Sequence, residues 1–219
     1  MILHTRNGLE VFEAAMKNIS NPPRGIQLQK WPIMTDLVGG LRAHELTIFC
    51  ANTGTGKTQF LANMATQLLK QGEKVFVASV ETGAEDFAAR MISCLVGYDV
   101  NTGAPVNPKV FTKPISDCMD LIQKNLVFSV HEDRVEVSDM VATLGELQQK
   151  MGTSVAVMDN LNFFMKVTRA ADVNMAYDEA VHSFVLAAKR IPIHSFLVMH
   201  PKKVEEKILS EFDIKGSST

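Results

Sequence analysis

Apolar residues recur along this chain in two rhythms. In residues 7–19, Leu9, Phe12, Met16 and Ile19 fall at helical spacing, and Asn7 with Glu10 reads as a capping box, so an amphipathic helix is expected. Asn21-Pro22-Pro23 stops it, and a polar stretch runs to Gln29. Such a helix either folds back on its own domain or docks on a neighbouring subunit. From Trp31 onward, short unbroken apolar runs alternate with amphipathic stretches. Buried strands are expected at residues 46–51, 75–80, 126–130, 154–159 and 195–200. Helices are expected over 57–70, ended by Gly72; after Thr82, capped by Thr82 with Glu85 and burying Phe87, Ala88, Met91, Ile92, Leu95 and Val96; over 138–151, ended by Gly152; and over 172–191. Residues 98–113, with their Gly, Pro and Asn, read as a loop. Strands alternating with helices predict an α/β fold, a mainly parallel sheet covered by helices on both faces.

Composition narrows this picture only slightly. The 219 residues suffice for one sizeable α/β domain. A net charge of −2 gives no bulk argument for nucleic acid, although a local basic channel is compatible with it. Three dispersed cysteines, Cys50, Cys94 and Cys118, fit reduced thiols better than a disulfide framework or a zinc knuckle. No apolar stretch is long enough for a membrane span and no signal peptide is evident, so a cytoplasmic, non-membrane protein is expected. The twelve methionines sit at core-like spacings and read as packing.

The chemistry begins where the first strand ends. Ala51-Asn52-Thr53-Gly54-Thr55-Gly56-Lys57-Thr58 fits the P-loop pattern, with Ala in place of the usual first Gly. Small residues let backbone N–H groups wrap phosphates, the lysine reaches the β and γ phosphates, and the Thr58 hydroxyl suits Mg²⁺. A helix starting at Lys57 turns its positive end toward the anion. The alternative is a chance match in a Gly-containing turn, but the motif lies between a strand and an amphipathic helix, where it has to lie. Asn52, Thr53, Gly54, Thr55, Gly56, Lys57, Thr58 and Gln59 are therefore the expected ATP-binding residues. Asp159 closes an apolar run and falls at the ligand edge of such a sheet, placed to hold Mg²⁺ with Thr58; the alternative is a surface Asp opening a loop. Glu81, just past the second strand, is placed to orient or deprotonate an attacking water, or else serves the following helix terminus.

Taken in order, these segments resemble the DnaB and Twinkle class of superfamily 4 replicative helicases, whose motor domain has the RecA-like fold. The carriers are the Ala-x-x-x-x-Gly-Lys-Thr loop, Ser79-Val80-Glu81 leading into a helix, Val155-Ala156-Val157-Met158-Asp159-Asn160-Leu161, Met199-His200-Pro201-Lys202-Lys203, and Asp213-Ile214-Lys215-Gly216-Ser217. Thr35-Asp36-Leu37 and Gly39-Gly40-Leu41 are similar to the family's lead-in to the first core strand. The resemblance covers residues 24–219, leaving residues 1–23 as a linker helix and linker. It implies that Glu81 is catalytic and that His200 senses the γ-phosphate; the plainer reading of His200 is a buried histidine at a strand end. It also implies a hexameric ring around single-stranded DNA, with loops 165–174 and 202–212 facing the channel. Lys166, Arg169, Lys202, Lys203 and Lys207, with Lys215 nearby, would then meet phosphates. Each of these taken singly also reads as a solvated charge. The family's final strands, which carry an arginine finger, have no counterpart before Thr219. Weak turnover and poor ring stability are accordingly expected of these 219 residues.

The function implied is an ATP-driven motor on single-stranded DNA, in the cytoplasm or in a phage or organelle replication machinery. Two readings compete with it: a RecA-like recombination or repair ATPase, and a nucleotide-binding regulatory or loader module without unwinding.

Overall fold

The computed structural model of the protein describes residues 5–101, 105–130, 135–164 and 173–201. They fall into two compact units, within Met1–Arg42 and Ala43–Thr219.

The first unit holds α1 (Gly8–Ser20) and α2 (Pro32–Val38). The Asn7 side chain caps α1 by accepting the Leu9 N–H at 2.9 Å. No residue of α1 is buried, and Leu9, Phe12, Met16 and Ile19 are all exposed. The sequence pattern gave no sign of α2; Pro32 opens it, where a missing N–H costs nothing. Thr35 ties α2 to the preceding segment, its hydroxyl accepting the Leu28 N–H at 2.8 Å.

The second unit is a five-stranded sheet in the order β1-β5-β4-β2-β3, every pairing parallel. The strands are β1 (Leu46–Cys50), β2 (Val75–Ser79), β3 (Leu126–Phe128), β4 (Val155–Asp159) and β5 (His194–Met199). Between them run α3 (Lys57–Lys70), α4 (Ala84–Val96), α5 (Lys109–Asn125), α6 (Val137–Met151) and α7 (Val173–Arg190). The two faces of the sheet carry different helices. Ala78, Ala156, Met158, Leu197 and Met199 join Met140 and Leu144 of α6 and Tyr177, Ala180 and Phe184 of α7 in one core cluster. On the opposite face Phe49 meets Phe60 of α3, with ring centroids 5.4 Å apart, and Phe87 of α4 meets Phe128 at 6.3 Å.

Four local expectations needed correction. First, β1 was expected to be buried, yet it is half-exposed, because among the described strands it lies at the sheet edge. Second, α4 begins after Gly83 rather than at Thr82; the Thr82 hydroxyl instead lies 2.8 Å from Ser79 Oγ. Of the residues expected inside α4, Phe87 and Met91 are buried and the others half-buried. Third, the stretch read as a loop to residue 113 turns helical at Lys109, opening a 17-residue helix with Pro114 inside it. Fourth, the methionines divide: Met64, Met91, Met140, Met158 and Met199 are core, whereas Met16, Met119 and Met175 are exposed.

Candidate active site

Parallel register places the chemistry. Cys50 of β1 pairs with Met199 of β5, Ser79 of β2 with Asp159 of β4, and Met158 of β4 with Leu197 of β5, so the four strands end within one residue of the same level. The chain leaving each of these ends comes to one edge of the sheet: residues 51–56 after β1, Glu81 after β2, Asn160 after β4 and His200 after β5. Val80 and Glu81 both donate backbone N–H groups to the Asp159 carbonyl, at 2.8 and 3.3 Å, which fastens the segment carrying Glu81 to β4. This is the ligand edge of an open parallel sheet.

The Gly-rich turn forms a concave loop closed on itself. Thr55 Oγ1 donates to the Asn52 carbonyl at 2.7 Å, and Lys57 Nζ donates to the carbonyls of Ala51 and Asn52 at 2.7 and 2.8 Å. Gly54 and Gly56 hold φ of +81° and +88°, left-handed values that favour glycine, and a Cβ at either would meet nothing within 4 Å. A cleft of about 330 Å³ lies against it, lined by Thr53, Gly54, Gly56, Lys57, Thr58, Gln59, Glu81, Thr82, Arg90 and His200. Arg90 was not anticipated from sequence. It stands on α4 nine residues past Glu81, with Nη1 3.5 Å from Gln59 Oε1.

The residues suit a nucleotide with a divalent cation. Thr58 Oγ1 donates to Asp159 Oδ2 at 2.7 Å, so the hydroxyl and the carboxylate already face each other. Asp159 is only 1% exposed, and its other oxygen, Oδ1, is buried with no hydrogen-bond partner among the described residues. A buried carboxylate oxygen without a partner is costly unless a cation or water completes it. Among the described residues no group of three His, Cys, Asp or Glu side chains could hold a metal alone, so a cation here would have to share phosphate oxygens. Burial raises the Asp159 carboxyl above its ordinary value; the Thr58 hydrogen bond opposes this and the Glu81 charge reinforces it. Burial likewise lowers the Lys57 ammonium, against the pull of Asp159 and Glu81. Burial therefore works against the charge on both groups.

On the far side, Asn160 Nδ2 donates to Glu81 Oε2 and lies 2.8 Å from His200 Nε2. The Glu81 and His200 side chains are 3.5 Å apart at Oε2 and Nε2. The Asp159–Asn160 peptide bond is cis. Lys57, Thr58, Glu81, Asp159 and His200, picked out separately in the sequence, are thus brought together. Lys166, Arg169, Lys202, Lys203, Lys207 and Lys215 lie outside the described residues, as do residues 213–217. No helix among the described residues is long and apolar enough to cross a membrane.

The family model of the DnaB-like helicase C terminal domain matches residues 30–190. Over 166 residues the chain is 27% identical to the replicative DNA helicase DnaB of Helicobacter pylori, an alignment that covers 71% of this chain and 34% of that protein. The chain thus spans about a third of the length of this curated relative. In fold it is similar to the ATPase domain of G40P, with a TM-score of 0.76 at 13% identity over 98% of this chain and 79% of that one. It is also similar to a DnaB-like replicative helicase solved in a study of its interactions with primase, with a TM-score of 0.75 at 14% identity over 98% of this chain and 54% of that one. At such identities these two likenesses concern the fold, and they agree with the RecA-like, helix-covered parallel sheet expected from the sequence.

Proposed function

The chain belongs to the DnaB-like helicase C-terminal domain family, and on that premise we propose that it is the ATP-hydrolysing motor of a ring-forming helicase that moves along single-stranded DNA. One observation carries the reading. A phosphate loop, a Thr–Asp pair with an unpartnered carboxylate oxygen, and a Glu–His pair all converge on one edge of the sheet.

In this reading residues 52–59 cradle the triphosphate, and Lys57 leaves its two loop carbonyls to meet the β and γ oxygens. Mg²⁺ held by Thr58 and Asp159 would offset the negative charge on the phosphates. Glu81 accepts a proton from the attacking water or orients it, and His200 stands beside Glu81 to sense the γ-phosphate. Positioning and charge do most of the work, because phosphoryl transfer asks for little covalent help from the protein.

The exposed apolar face of α1 supports an oligomer. Four large side chains at helical spacing are mostly exposed among the described residues, and docking them on a neighbouring subunit would complete a ring. We assign residues 1–23 to that linker and residues 24–219 to the ATPase domain. Lys166, Arg169, Lys202, Lys203, Lys207 and Lys215 are proposed to meet DNA phosphates on the family resemblance. The setting would be cytoplasmic, or a phage or organelle replication machinery.

The test is phosphate release with and without a single-stranded oligonucleotide. DNA should stimulate turnover, and Lys57→Ala and Glu81→Gln should each lower it by on the order of a hundredfold. Turnover that ignores both DNA and Glu81→Gln would overturn the motor reading. Nucleotide binding without turnover would point to a regulatory or loader module, and DNA-stimulated turnover without strand displacement to a recombination-type ATPase.

A further inference from the structure

We infer that Asn160 is the positioning residue for the general base, a role that rests on Glu81 being that base. Asn160 is 1% exposed and directly follows the last residue of β4. Its carbonyl oxygen, Oδ1, accepts the backbone N–H of Asn162 at 3.0 Å. An N–H can only donate, so this bond fixes which way the amide faces. Nδ2 must then point to the other side, where its two hydrogens meet two acceptors, Glu81 Oε2 and His200 Nε2. Every hydrogen-bonding group of the side chain is therefore engaged, and the orientation is locked.

The consequence falls on Glu81. Its carboxylate ends a side chain with three rotatable bonds, a third of whose surface is exposed. Left alone it would sample many rotamers, and an attacking water needs its base within hydrogen-bond reach and held there. The direct Glu81–His200 contact is 3.5 Å, longer than the 2.8 Å from the amide to His200, so the amide is the effective bridge between the two. The bridge has a firm footing. The Asn162 side chain accepts the Tyr177 hydroxyl, which ties the turn after β4 to α7. A supporting group of this kind lends precision to a catalytic group that it touches.

The experiment uses the full chain with MgATP and single-stranded DNA, measuring kcat, KM and the dissociation constant of a fluorescent ATP analogue. Asn160→Asp keeps the shape and the acceptor for Asn162 but removes both donors; Asn160→Ala removes the donors without adding charge, and carries the test if the aspartate variant does not fold. Each should lower kcat on the order of tenfold to a hundredfold, with KM and nucleotide affinity within about twofold of wild type. In a Glu81→Gln background Asn160→Ala should cause no further loss, because it acts through Glu81. Near wild-type kcat in the Asn160 variants, beside an inactive Glu81→Gln, overturns the inference and leaves the base reading standing. Losses that add in full, or that appear in affinity and melting temperature with turnover per bound enzyme preserved, overturn it in favour of a structural role. A fully active Glu81→Gln overturns the base reading itself, and the positioning role with it.

Discussion

Gly56→Ala separates the backbone cost of the phosphate loop from its function. Gly56 is the N-cap of α3 at φ 88° and ψ 16°, and a Cβ placed there meets nothing within 4 Å. No atom has to move, so the cost is conformational: about 1–2 kcal/mol for an L residue in the left-handed region. Against that, the substitution restricts the unfolded chain and returns about 0.4–1 kcal/mol. The net loss is about 1 kcal/mol, which for a chain of this size lowers Tm by about 2–4 °C. Nucleotide binding should suffer much more. Gly56 lines the cleft, so a side chain at this position alters the turn where phosphate oxygens would approach the N–H groups that begin α3. A loss of affinity of at least tenfold is expected, or about 1.4 kcal/mol. Gly97→Ala is the control: Gly97 has φ +84° and the same open surroundings, but it caps the far end of α4. It should lose comparable stability and no affinity. Thermal melts followed by circular dichroism give the first quantity and titration of a fluorescent ATP analogue the second. Wild-type affinity in Gly56→Ala would refute the phosphate reading of the loop, and a stability loss above about 3 kcal/mol would refute the statement that only the backbone is strained.

The same geometry leads to three further outcomes. Asp159→Asn should raise Tm by a few degrees near neutral pH in the absence of nucleotide, since it removes a buried charge, while weakening Mg²⁺-dependent nucleotide binding. Burial raises the Asp159 carboxyl above 3.8, so the folded state binds its proton more tightly than the unfolded chain does. That contribution is fully present below the ordinary aspartate value and is lost as pH rises through the raised one. The gap between variant and wild type should therefore close as melts are taken down to about pH 4, and a gap independent of pH would contradict the assignment. Phe184→Ala should cost about 3–5 kcal/mol in urea denaturation, because Phe184 of α7 is buried in the core with its ring centroid 6.2 Å from that of Phe164; a loss under about 1.5 kcal/mol would show that the core closes over the gap. Phe12→Ser, at a position 73% exposed, should leave stability within about 0.5 kcal/mol, and on the proposed docking of α1 it should shift sedimentation toward smaller species; an unchanged distribution would refute that docking.

The parts of the fold that were legible in the sequence are those whose signals are local. The run from Val155 to Asp159 could only be an interior strand, because five consecutive buried positions need both faces covered. The helix from Lys57 to Lys70 was equally plain: its apolar stripe is regular, and its end at Gly72 turns the N–H groups of Gly72 and Glu73 back to the Leu69 and Leu68 carbonyls. The α5 helix was not legible. Pro108 and Pro114 are breakers on any local reading, yet Ile115 and Ile122, both half-buried, line an apolar cavity of about 230 Å³ with Leu69, Met91 and Phe128, contacts between distant segments that no local pattern shows.

The site divides in the same way. Spacing within the Gly-rich turn identified Lys57 and Thr58, since a phosphate cradle is built by consecutive backbone groups. Asp159 could be proposed from its place at a strand end and His200 from the family resemblance, but their meeting depended on strand order, and β5 lying between β1 and β4 is a long-range outcome. Asn160 and Arg90 carried no local signal at all. An asparagine after a strand reads as the start of a loop, and an arginine on a helix as a solvated charge. Only parallel pairing, which aligns residues some eighty positions apart, sets the Asn160 amide between Glu81 and His200. Periodicity and turn chemistry act over a few residues, so the sequence alone determined the five strands, the helices with a regular apolar stripe and the phosphate loop. Hydrogen bonds between side chains on different loops act across the sheet, so the partners of Glu81 were decided by the tertiary structure.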